Sequence, residues 1–128
     1  MSIRSLQNSN QQSEALILRH NAVTLSQAIK ASGKLMIAIP GGVKCCQPEE
    51  ILFIKAESNY TEIYFLNGDK LFISKTLKSL EDDLPSNIFF RVHRSFVVNC
   101  QHIQHIHVNT RECHIILTGN LEIPVSRN

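Results

Sequence analysis

ILFIKAESNYTEIYFLNGDKLFISKTLKSLEDDLP, residues 51–85, contains the changes of period that decide the fold. Ile51 to Ile54 is an unbroken apolar run of strand length, which implies a strand covered on both faces. Tyr60 to Leu66 is rich in aromatic and β-branched residues, and Asn67-Gly68 ahead of Leu71-Phe72-Ile73 makes it one arm of a hairpin. The period then lengthens. Thr76 is placed to cap a helix, Leu77, Leu80 and Leu84 share one helical face, and Pro85 marks the exit.

Downstream, FFRVHRSFVVN (residues 89–99) holds a cationic segment between apolar pairs. Phe89 and Phe90 favour burial on one side, and Phe96, Val97 and Val98 on the other. Arg91, His93, Arg94 and Ser95 cannot enter a core without partners, so the segment should surface while clamped at both ends. Such donors suit an anionic ligand, a nucleic-acid backbone among them. A structural reading competes, in which Arg91 pairs with Glu81, Asp82 or Asp83. Ile103, Ile106 and Val108 suggest a further strand, Cys113 to Leu117 another, and Thr118-Gly119-Asn120 turns into Leu121, Ile123 and Val125. Pro124 argues that this last strand lies at an edge, since proline cannot donate to a ladder.

Upstream, Leu35 to Ile39 is stopped by Pro40-Gly41-Gly42, and Val43 to Cys46 returns antiparallel. Residues 1–14 are rich in Ser, Asn and Gln without a period, which suggests a disordered leader. Over residues 15–31 the apolar positions Leu18, Ala22, Leu25 and Ile29 fall three or four apart, the pattern of an amphipathic helix. That helix either docks a partner or packs back on its own domain. The reading is a mainly β domain over residues 34–128 with one short helix after the central hairpin, preceded by a helical or disordered extension over residues 1–33.

At 128 residues and a formal net charge of +2 the chain suits one domain, and bulk charge does not announce a nucleic-acid binder. From residue 51 onward the two signs balance at eight each, so any anion-binding face needs its cations segregated and Glu81, Asp82 and Asp83 turned away from it. No apolar run approaches a membrane span and no signal sequence opens the chain, which makes a cytoplasmic location the default. Four cysteines, two of them adjacent at Cys45 and Cys46, read as reduced thiols. His102, His105, His107 and His114 raise the question of a metal. On a strand His105 and His107 share a face, whereas His102 points to the other, and no Cys-x-x-Cys pair occurs, so no metal is assigned. No phosphate-binding loop, nucleophile elbow or H-E-x-x-H pattern is present; the expectation is a non-enzyme without a cofactor.

The succession from ILFIKAESNYTEIYFLNGDKLFISKTLKSLEDDLP through FFRVHRSFVVNCQHI to NLEIPVSRN resembles a LytTR domain, the DNA-binding output module of many bacterial response regulators in two-component systems. The resemblance runs from about Lys34 to the last residue. It implies an elongated fold of about ten antiparallel strands, in which loops rather than a helix enter successive major grooves of double-stranded DNA. By the family's pattern Asn59, Arg94 and Arg127 are the base-contacting positions, and asparagine with adenine or arginine with guanine suits that role chemically. Lys75, Lys78, Arg91, His93 and Ser95 are candidates for the DNA backbone, with Lys75 the less committed of the two lysines. Asn99, beside Val97 and Val98, is read as a structural prop of the loop.

Residues 1–33 are too few for the receiver domain that the family's response regulators usually carry upstream. The chain is therefore either a stand-alone regulator or one piece of a longer protein. The expected function is sequence-specific transcriptional regulation on paired, similarly oriented half-sites, with a homodimer on DNA and a sensor or regulator docked through residues 15–31. The alternative is an interaction module that keeps the fold and pairs with another transcription factor without strong DNA binding of its own.

Overall fold

The structure is a computed structural model that describes residues 23–126. Arg127 and residues 15–22 of the expected helix lie outside that range. The chain divides into two compact units, Met1–Pro48 and Glu49–Asn128. The first hairpin falls in the N-terminal unit.

In the first unit, α1 (Val23–Ala31) is followed by an antiparallel hairpin of β1 (Leu35–Ile39) and β2 (Gly42–Cys46). Gly33, at a φ of +91°, ends the helix, with Gly33 N–H on Lys30 O and Lys34 N–H on Ile29 O, the paired bonds that a left-handed glycine cap provides. Pro40-Gly41 makes the hairpin turn, and Gly41 supplies the positive φ that its second central position needs. Leu25, assigned to the apolar face of the helix, is 56% exposed.

The second unit contains β3 (Ile51–Ala56), β4 (Thr61–Phe65), β5 (Lys70–Ile73), α2 (Leu77–Glu81), β6 (Phe89–His93), β7 (Phe96–Asn99), β8 (Ile103–Val108), β9 (Cys113–Leu117) and β10 (Leu121–Pro124). They form a five-stranded sheet in the order β5-β4-β3-β7-β6 and a three-stranded sheet in the order β10-β9-β8, with every pairing antiparallel. The central strand is β3. Ile51, Leu52, Phe53 and Ile54 are all buried, as an unbroken apolar run requires when both faces of its sheet are covered. Leu52, Phe53, Val92 and Val98 share one core with Ile115, Leu117 and Ile123 of the smaller sheet. The buried Leu77 and Leu80 of α2 sit beside β3 and β7.

Local signals place the connections. The loop between β4 and β5 closes with Gly68 N–H on Phe65 O and Phe65 N–H on Asp69 O. Gly68 takes a φ of +97°, so the Asn-Gly pair builds a three-residue loop ending in a left-handed glycine. Thr76 Oγ1 accepts from Ser79 N–H at 3.1 Å, which caps α2 as its position predicts. Pro124 does lie in an edge strand, β10. Phe90 departs from expectation: Phe89 is 5% exposed and Phe90 61%, because successive residues of β6 point to opposite faces.

Asn99 is fully buried, with Nδ2 donating to Ile51 O (2.8 Å) and Oδ1 accepting from Gln101 N–H (2.8 Å). It ties the end of β7 to the start of β3 across 48 residues of chain. Asn99→Ala leaves the Ile51 carbonyl and the Gln101 amide without these partners, and is expected to lower unfolding free energy by about 2–3 kcal/mol. A urea unfolding curve with unchanged slope and a lower midpoint would show it.

Candidate nucleic-acid interface

Three connections of the second unit converge on one cleft of about 350 Å³, lined by residues 56–61 after β3, residues 74–78 between β5 and α2, and Arg91 and Arg94 around the β6–β7 turn. Of the positions singled out from sequence, Asn59, Lys75, Lys78, Arg91 and Arg94 line it, and His93 and Ser95 flank it in the same turn. Each wall is braced by backbone or buried polar groups. Glu57 N–H donates to Tyr60 O (2.9 Å), closing the turn that leaves Asn59 exposed at its tip. Thr61 is fully buried at the start of β4, and its Oγ1 donates to Lys75 O at 2.6 Å, which anchors the second wall to the first. Sequence reasoning passed over Thr61, since a threonine in a strand carries no distinguishing pattern.

The third wall is held by Arg91. Its Nε donates to His93 O (2.9 Å), its Nη2 to Arg94 O (2.6 Å), and its Nη1 to Glu81 Oε1 of α2 (2.9 Å). His93 Nδ1 accepts from Ser95 N–H at 3.0 Å, so that nitrogen carries the lone pair. Ser95 O accepts from Ala56 N–H (2.8 Å), joining the turn to β3. A register shift between Arg91 and His93 bends the strand as it enters the turn. Arg94 stands exposed at the tip, and among the described residues it holds no ion pair.

The acids of α2 are not turned away from this surface as the sequence reading required. Glu81 pairs with Arg91, and Asp83 Oδ2 pairs with Lys75 Nζ at 3.0 Å. Lys75 is thus the more committed of the two lysines, the reverse of the expectation; Lys78 is exposed on the first turn of α2. Half-exposed ion pairs of this kind contribute little to stability, about 0–1 kcal/mol each. Their effect is on charge: two cations of the cleft are compensated, and Arg94 and Lys78 hold no ion pair among the described residues. Towards the end of the chain Ser126 N–H donates to Val92 O of β6 at 2.8 Å.

The LytTr DNA-binding domain model matches residues 41–128. The chain belongs to the LytTR family. It is 36% identical over 84 residues to the sensory transduction protein LytT of Enterococcus faecalis, covering 63% of this chain and 34% of that protein. Against the transcriptional regulatory protein NatR of Bacillus subtilis the identity is 28% over 80 residues, covering 62% and 34%. The chain therefore spans about a third of the length of the curated relatives it matches. A solved LytTr DNA-binding domain from a Bacillus cereus response regulator shares the fold, with a TM-score of 0.62 at 23% identity over 73% of this chain and 86% of that one. The ten strands observed among the described residues are the number that the LytTR resemblance implies.

Beside the cleft, the LytTR domain carries an aromatic and acidic cluster on the open part of its larger sheet. Tyr64 Oη donates to Glu62 Oε1 at 2.6 Å, Tyr60 meets Phe72 edge-on with ring centres 5.6 Å apart, and Phe72 is 58% exposed. The Glu62 bond, then burial, then the Glu62 charge push the Tyr64 phenol up to about 12. Lys55 is held protonated above its ordinary range by its hydrogen bond and charge attraction to Glu57, 3.0 Å away.

Two outcomes are expected. Arg91→Ala should cost about 1–2 kcal/mol by freeing the turn from α2, whereas Arg94→Ala should change stability by less than about 0.5 kcal/mol, as thermal melts of the two variants will show. For Tyr64, a folded pKa of about 12 above the usual 10.0 means its bond contributes fully below pH 10 and is lost as pH climbs through 12. Ultraviolet titration should show one phenol ionising late in the native protein and near the ordinary tyrosine range in Glu62→Gln.

Proposed function

We propose that this LytTR domain binds double-stranded DNA sequence-specifically and regulates transcription, through loop side chains placed in successive major grooves. The observation that carries the reading is the cleft that gathers Asn59, Arg94 and Lys78 from three separate connections, with Arg94 uncompensated at the tip of a braced turn. Asn59, Arg94 and Arg127 act as base readers, since an amide pairs bidentately with adenine and a guanidinium with guanine. Lys78 and Lys75 take phosphates, the latter by exchanging Asp83 for the backbone, and Ser95 presents its hydroxyl beside them. Arg91 and His93 hold the turn, and a half-buried guanidinium with three protein acceptors contributes its remaining charge without leaving its place. Asn99 supports the framework from the core, at the opposite end of β7 from that turn.

The site is a binding surface rather than a catalytic one. A cytoplasmic setting, paired similarly oriented half-sites and a homodimer on DNA complete the proposal. A sensor or regulator docked through residues 15–31 is consistent with the exposed Leu25 of α1. Among the described residues no helix is long and apolar enough to cross a membrane. One named relative, NatR, is a transcriptional regulatory protein.

Titration of a fluorescent duplex recovered by selection from a random pool is the direct test. Affinity should fall with salt at a slope of roughly −0.9 per phosphate neutralised. Lys78→Ala should weaken all sequences evenly and reduce that slope by about one, while Arg94→Ala should lose about 1–3 kcal/mol of discrimination at one base pair. Absence of saturable binding at low salt would favour the alternative, a module that acts by pairing with another transcription factor. An Arg94→Ala protein that keeps its sequence preference would make Arg94 a phosphate contact.

A further inference from the structure

On the smaller sheet of the second unit, on residues that do not line the cleft, three imidazoles lie side by side. His105 and His107 alternate along β8 on one face, and antiparallel pairing sets His107 directly opposite His114 of β9. Ring centres are 4.3 Å apart for His105 and His107 and 4.9 Å apart for His107 and His114. With a metal–nitrogen bond of about 2.1 Å, two imidazoles on one cation hold their ring centres roughly 4.5–5.5 Å apart; the 4.9 Å between His107 and His114 lies within that range, and the 4.3 Å between His105 and His107 reaches it by a small turn of those exposed rings. The opposite strand therefore supplies what the chain's order conceals. His102, the nearest histidine in sequence, is instead in the turn before β8, with Nε2 2.7 Å from Glu49 O.

A second observation points the same way. His114 Nε2 lies 2.6 Å from Glu122 Oε2 on β10, which fixes the proton on Nε2 and leaves the Nδ1 lone pair for another partner. A carboxylate that receives one ring N–H while the other nitrogen binds a cation is the support that metal-ligating histidines ordinarily have. Glu112 Oε1, 4.0 Å from Nδ1, adds negative charge at the same place. In the conformation described, no three donors among the described residues already converge on one point. His105 and His107 are both exposed, so their rings can turn about their side-chain torsions to meet a cation without disturbing the core.

We propose that His105, His107 and His114 form a surface site for a late first-row divalent cation of the Zn²⁺, Ni²⁺ and Cu²⁺ class, with Glu122 orienting His114. Imidazole donors select that class, and three of them leave a fourth position for water or an outside ligand. The site spans the edge strand β8 and its neighbour β9, so occupancy crosslinks the edge of the sheet. It is separate from the proposed DNA contacts and stands or falls independently of them.

The test is calorimetric titration of the untagged full chain with ZnCl₂ and with NiCl₂. One cation per chain is expected, with an accompanying rise in melting temperature. Both His107→Ala and His105→Ala, at exposed positions, should weaken binding at least tenfold while leaving the metal-free melting temperature unchanged. Glu122→Gln should weaken it ten- to a hundredfold. Cys113→Ser and His102→Ala should bind as the parent does. No binding up to millimolar metal, or binding that survives His107→Ala and His114→Ala, overturns the site; binding lost in Cys113→Ser reassigns it to a thiolate and overturns it equally.

Discussion

Burial of one strand on both of its faces organises the second unit. β3 buries Ile51, Leu52, Phe53 and Ile54 without interruption, and no single layer can cover such a run. Neighbouring strands β4 and β7 satisfy its hydrogen bonds, the smaller sheet covers it through Ile115, Leu117 and Ile123, and α2 sits beside it with Leu77 and Leu80. Asn99 completes this arrangement by donating from the end of β7 to Ile51 O at the start of the strand. The connections leaving β3, β5 and β6 are thereby delivered to one cleft.

Charge on that cleft is shaped by compensation more than by accumulation. The unit has as many acids as bases from residue 51 onward, and two of the acids are applied to cations of the cleft itself. Arg91 illustrates how one side chain can serve structure without surrendering its charge: Glu81 and two carbonyls hold a guanidinium with donors on every side. Its neighbour Arg94 is left at the tip with no such ties among the described residues. The difference between a clamped and an open guanidinium is thus made by partners, since the two residues are chemically identical and three positions apart.

Much of this was legible before the structure. Thr76 and the Leu77, Leu80 and Leu84 spacing marked α2, Asn67-Gly68 marked the β4–β5 loop, and Pro124 marked an edge strand, because caps, turns and proline act over a few residues. Asn99, read from its apolar neighbours as a prop of the cationic loop, is buried and bonds Ile51 O and Gln101 N–H at the other end of β7. Phe90, Lys75 and Thr61 were misjudged or missed for a common reason. The exposure of Phe90 depends on which face of β6 it takes, the engagement of Lys75 on Asp83 eight residues away, and the role of Thr61 on a carbonyl fourteen residues away.

What the sequence by itself determined is the set of elements and the chemical character of the loops, including the grouping of Arg91, His93, Arg94 and Ser95 between buried strands. Period, capping and hydrophobic runs are local, and local free energies follow directly from the order of residues. Only the tertiary structure decided which cations stay uncompensated, which loops share a cleft, and that His107 faces His114 with Glu122 behind it. Strand register and ion pairing join residues remote in the chain. Their outcome is selected by how the sheets close on β3, a property of the whole core that no segment carries alone.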